Sequence, residues 1–106
     1  MTSDSLCLEL FRALTEMRAN GRCEICGAPE GDPHHIYSRG NKAVRYDAVY
    51  NGLWLCNIHH RWAEEIGTKE LIKYLTDTKT RSKEWAKELN ISKNFALFFS
   101  VKCSLC

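Results

Sequence analysis

Two short cysteine-bearing segments constrain this chain more than any other feature. Cys23-Glu24-Ile25-Cys26 and Cys56-Asn57-Ile58-His59 form a CxxC…CxxH set with 29 residues between the halves. Zinc takes four thiolate or imidazole ligands in a tetrahedron, and two such pairs from separate segments supply them. A closed four-ligand site leaves no open position for substrate, so its role is structural. Its binding energy would support a 106-residue chain, 44% hydrophobic, that can build only a modest core. Cys56-x3-His60 is also a feasible pairing, so spacing alone leaves either member of the His59-His60 pair as the fourth ligand.

Composition narrows the setting. No stretch approaches the ~18 apolar residues of a membrane span. The opening MTSDSLCLELFRAL lacks the basic flank and unbroken apolar run of a signal peptide. Six cysteines in such a chain point to metal or free thiols in a reducing, cytoplasmic compartment rather than to a disulfide framework. Cys7 reads as a buried thiol. Cys103 and Cys106 form a terminal CxxC pair that lacks enough partners for a second metal site, unless a dimer completes one. The formal charge of +2 is unevenly spread. Residues 1–33 hold three Arg/Lys against six Asp/Glu, whereas residues 34–61 hold Arg39, Lys42, Arg45 and Arg61 against Asp47 alone.

The pattern predicts one α+β domain over 1–106. Residues 1–20 carry an N-terminal helix whose apolar stripe is Leu6, Leu10, Leu14 and Met17, stopped by Asn20-Gly21. Residues 21–67 form the zinc-bearing core, with a short strand near His34–Tyr37 and a second within Tyr46–Leu55, interrupted near Asn51-Gly52. A helix from Cys56 carries Ile58, Trp62 and Ile66 and ends at Gly67. Residues 68–106 are mostly helical: Thr68 caps one helix, Trp85 and Leu89 lie on another, and the run 95–101 is a strand or a buried helix. Trp54, Trp62, Tyr46 and Tyr50 fit core positions better than base-stacking ones.

The residues that zinc does not need include His34, His35, Asn51 and one of the His59-His60 pair. Phosphodiester hydrolysis needs a general base, a divalent ion on the phosphate and positive charge for the backbone. His35 can serve as the base, and His34 and His60 can hold an ion with positions left open. The Asn51 amide both donates and accepts, so it can tie backbone groups or orient the base. Arg39, Lys42, Arg45 and Arg61 can meet phosphates; Arg39 and Arg45 are the best candidates, and a solvated loop charge explains those two equally well.

CEIC, DPHHI and YNGLWLCNIHHRW, taken together, resemble the HNH endonucleases over roughly residues 21–67. The resemblance implies a ββα-metal (His-Me finger) core with structural zinc, flanked by helices. Aligned on that family, His59 stands where a fourth cysteine is common and is the zinc ligand, while His60 is the final motif histidine. The resemblance also implies His35 as the water-activating base, His34 and His60 as ligands of the catalytic ion, and Asn51 as the stabiliser of the loop between the strands. DNA is then the substrate, with products bearing 5′ phosphate. Two neutral imidazoles suit Mn²⁺, Ni²⁺ or Zn²⁺ better than Mg²⁺. Glu64, one turn after His60, reads first as a solvated helix-face charge and second as an added carboxylate ligand. HHIYSRGNKAVRYD is similar to phage recombination nucleases of the Rap/NinG group, which implies a bacterial or phage-infected host cell. The competing expectation is a non-catalytic zinc-stabilised DNA-binding module, or an accessory to phage recombination or packaging proteins. A monomer would nick DNA and a homodimer would cut both strands.

Overall fold

A computed structural model describes residues 3–94. Helix α1 (Ser3–Ala19) is followed by strand β1 (Asp32–His35), a short helix α2 (Ala48–Asn51), strand β2 (Gly52–Leu55), helix α3 (Asn57–Asp77) and helix α4 (Lys83–Asn94). The two strands pair antiparallel, with His34 opposite Leu53 and His35 opposite Gly52. The fold is therefore a small α+β domain, as the sequence predicts. The run 95–101, Cys103 and Cys106 lie outside the described residues.

Strand β2 (Gly-Leu-Trp-Leu) is buried along its whole length, because α1 and α3 both pack on the sheet. Leu53 and Leu55 join Val44, Ile36, Ala63, Leu71, Leu75, Trp85 and Leu89 in the core. Side chains alternate along a strand. That alternation sends His34 toward His60 of α3 and His35 toward Phe11 of α1.

Helix α1 forms where expected, but its buried face differs. Cys7, Phe11 and Thr15, four residues apart, face inward, while Leu14 is 52% and Met17 70% exposed. Leu6 and Leu10 are exposed as well. Close contacts decide the orientation. A Cβ at Gly52 would lie 2.6 Å from Thr15 Oγ1, so only glycine lets α1 come this near β2. Arg18 then donates to the Ala48 and Gly52 carbonyls. Cys7 is buried, as predicted.

The predicted strand within Tyr46–Leu55 is only half a strand. Asp47 accepts the Tyr50 backbone N–H at 3.1 Å and starts the turn of α2, so extended structure begins at Gly52. Asn20 and Gly21 take positive φ and end α1. Gly67 (φ 84°, ψ 168°) breaks α3, and the Thr68 hydroxyl donates to the Ile36 carbonyl at 2.7 Å, tying the break to the end of β1.

Candidate metal and phosphodiester site

The CxxC knuckle follows α1. Gly27 turns it with φ +78°, and its N–H donates to the Cys23 carbonyl at 2.8 Å. The Glu24 N–H donates to the Trp54 carbonyl at 2.9 Å, which docks the knuckle on β2. Cys56 sits at the N-terminus of α3, where residues three apart share a face, so His59 lies beside it. The Cys23, Cys26, Cys56 and His59 ligand atoms all lie within 4.8 Å of one another. Cys26 and Cys56 sulfurs are 3.8 Å apart, and His59 Nδ1 is 3.7 Å from Cys23 Sγ and 3.3 Å from Cys56 Sγ. A zinc tetrahedron requires S···S near about 3.8 Å and S···N near about 3.6 Å. The four side chains fit that ion, with His59 rather than His60 completing the set.

Electrostatics favour metal binding here. Burial alone would push the Cys23 thiol up. Hydrogen bonds from the backbone of Cys56, Cys26 and Ile25 outweigh burial and bring it down to about 6. A thiolate at neutral pH is the form that binds zinc.

A second cluster forms on the next helical step. His60 turns away from the cysteines, and its ligand nitrogen, a His34 nitrogen and a Glu64 carboxylate oxygen lie within 4.8 Å of one another. His60 Nε2 is 3.3 Å from Glu64 Oε1, and the His34 and His60 rings meet edge to face at 5.0 Å. Burial, reinforced by the neighbouring His60 and His35, holds His34 down at about 4, so it is neutral at pH 7 and free to ligate. Glu64 lies beside the two imidazoles while its side chain stays 65% exposed, in keeping with a solvated helix-face charge.

His35 lines the same cleft of about 540 Å³ as His34, His60, Glu64, Arg39 and Arg12. Burial, then the Arg39 charge, lowers His35 to about 4 against a hydrogen bond to the Arg45 backbone. Its Nε2 is buried without a hydrogen-bond partner. A neutral imidazole keeps one ring nitrogen able to accept a proton.

Asn51 does not touch the histidines. Fully buried, it accepts from the Tyr37 N–H at 2.7 Å and donates to the Tyr37 carbonyl at 3.0 Å. Its own carbonyl accepts from the Ile36 N–H at 3.0 Å. It thereby ties the segment after β1 to the start of β2. Of the basic residues, Arg39 lines the cleft. Arg45 is engaged inside its loop, donating to the Arg39 carbonyl at 2.7 Å and lying over the Tyr46 ring. Lys42 borders a different cleft beside Leu14 and Tyr46, and Arg61 is exposed on α3.

Sequence patterning missed three participants. Glu24, an intervening residue of CxxC, accepts from Arg81 at 2.6 Å, Arg18 at 3.0 Å and the Trp54 N–H at 2.7 Å. Burial would raise its carboxyl, but Arg81 foremost holds it below the ordinary range. Phe11 stacks on His35, and Arg12 lines the cleft wall while pairing with Asp32 at 3.2 Å. No local motif marks any of the three, because each acts across long sequence separations. No described helix is long and apolar enough to cross a membrane. Comparison with protein-family models, curated proteins and solved structures finds no match to this chain.

Proposed function

We propose that the chain is a metal-dependent endonuclease of the HNH type that hydrolyses DNA phosphodiester bonds on a ββα-metal core, with zinc in the cysteine site. The observation that carries this reading is one cleft holding two chemically distinct groups. One is the His34–His60–Glu64 donor set, and the other is a neutral imidazole, His35.

His34, His60 and Glu64 would hold a divalent ion, and two nitrogens with one carboxylate suit Mn²⁺, Ni²⁺ or Zn²⁺ ahead of Mg²⁺. When bound, the ion supplies Lewis acidity toward the phosphate and the departing 3′ oxygen. A ring nitrogen of the neutral His35 imidazole takes the proton of the attacking water. Arg39 offers positive charge to the phosphate in the cleft. Asn51 maintains the loop that leads from the base toward Arg39 and does not enter the reaction. The working setting is the cytoplasm of a bacterial or phage-infected cell, with DNA as partner.

Supercoiled plasmid is the direct test. Zinc-loaded protein should nick it with Mn²⁺ or Ni²⁺, less well with Mg²⁺, and not in EDTA. His35→Ala should lower the rate on the order of 10²- to 10⁴-fold while keeping its zinc. Wild-type protein that binds DNA in a salt-dependent way but is inert with every ion would leave the non-catalytic binding module instead.

A further inference from the structure

Helix α1 lies outside the 21–67 segment that carries the HNH resemblance, yet it forms one wall of the cleft through Leu8, Glu9 and Arg12. It also reaches the base itself. The rings of Phe11 and His35 are parallel to within 9° with centroids 4.1 Å apart, and Phe11 is completely buried. A face-to-face stack fixes the plane of an imidazole, and a hydrogen bond at one nitrogen fixes its rotation within that plane. His35 has both, from α1 and from the Arg45 backbone. The approach of α1 is itself enforced. Thr15 packs where a Cβ on Gly52 would sit, Gly52 pairs with His35 across the sheet, and Arg18 grips the Gly52 carbonyl.

We propose that Phe11 is a positioning residue for the reaction: its ring, delivered by α1, holds the His35 imidazole in the plane in which it meets the attacking water. The proposal rests on the nuclease reading and makes α1 a working part of the site. His34, His60 and Glu64 do not depend on Phe11, so ion binding and turnover should separate when the stack is lost.

The test compares zinc-loaded full-length wild type with Phe11→Leu, Phe11→Met and Phe11→Tyr. Plasmid-nicking kcat and KM and the Mn²⁺ concentration for half-maximal rate are measured under conditions where zinc content and thermal melts show folded protein. Phe11→Leu and Phe11→Met, apolar but not planar, should lose kcat on the order of 10- to 100-fold with KM and Mn²⁺ dependence unchanged. Phe11→Tyr, which keeps a planar ring, should restore most of it. Equal kcat in the wild type and the two apolar variants overturns the proposal while leaving the nuclease reading intact. A parallel loss of kcat, KM and Mn²⁺ dependence in all three variants also overturns it, because that pattern belongs to a general structural role. An inert wild type overturns the nuclease reading and the positioning role with it. If the variants do not fold, the wild type's own NMR spectrum decides. Ring-current-shifted His35 ring protons support the stack, and unshifted ones contradict it.

Discussion

Asn51 has no exposed surface, and both ends of its amide are matched to one peptide unit, the N–H and carbonyl of Tyr37. Removing the amide orphans two backbone groups in the interior. Asn51→Ala should cost about 2–4 kcal/mol in chemical denaturation. Asn51→Asp should be no better, since a carboxylate cannot donate to the Tyr37 carbonyl. Glu24 is a second residue whose effect exceeds its size, because it gathers Arg18, Arg81 and the Trp54 N–H. Its folded pKa lies below the unfolded value, so its contribution is fully present above the unfolded carboxyl pKa and is lost as pH falls through the folded one. Glu24→Gln should therefore be less stable at pH 7 by about 2–3 kcal/mol, given that the Arg81 pair is largely but not wholly buried. The gap between variant and wild type should close on acidification. Urea denaturation across pH with zinc present reads both effects.

Among the elements, α1 and β2 meet closely at Gly52. A Cβ at Gly52 meets Thr15 Oγ1 at 2.6 Å and the Ala48 carbonyl at 2.8 Å. Gly52→Ala should cost about 1–3 kcal/mol through overpacking. Thr15→Ala in the same chain should recover only part, because the Ala48 backbone cannot be trimmed away. A full recovery in the double variant's melt would mean that Thr15 alone sets the spacing. This contact also explains what sequence patterning could and could not reach. The zinc half-sites, both histidine pairs, the helix stop at Asn20-Gly21 and the break at Gly67 are encoded locally, by spacing and backbone preference, and were legible. The face that α1 buries was not. Leu6, Leu10, Leu14 and Met17 form the more apolar stripe, but tertiary contacts at Phe11, Thr15 and Arg18 select the face beside it. The strand expected within Tyr46–Leu55, with its interruption near Asn51-Gly52, forms only from Gly52 onward for a related reason. Asp47 caps a helical turn within residues whose aromatic and β-branched character favours extension.

For the whole molecule, two clusters that could hold a metal ion draw on histidines one residue apart in sequence. Adjacent residues of a helix diverge by about 100°, so His59 completes the cysteine set while His60 faces the cleft. Zinc held among the cysteines would fix the first turn of α3, the turn that aims His60. Cys56→Ser should therefore lower stability and zinc content together and lose nicking as a consequence. His60→Ala should keep zinc and fold but lose the exchangeable ion. The most direct measurement is a Mn²⁺ titration of zinc-loaded wild type and His60→Ala, following bound Mn²⁺ and plasmid nicking in the same samples. Wild type is expected to fill one exchangeable site per chain, with nicking rising in step with occupancy, and His60→Ala to show neither. Nicking that persists undiminished in His60→Ala, or one filled Mn²⁺ site with no nicking at all, would contradict a phosphodiesterase centre built on His34, His60, Glu64 and His35.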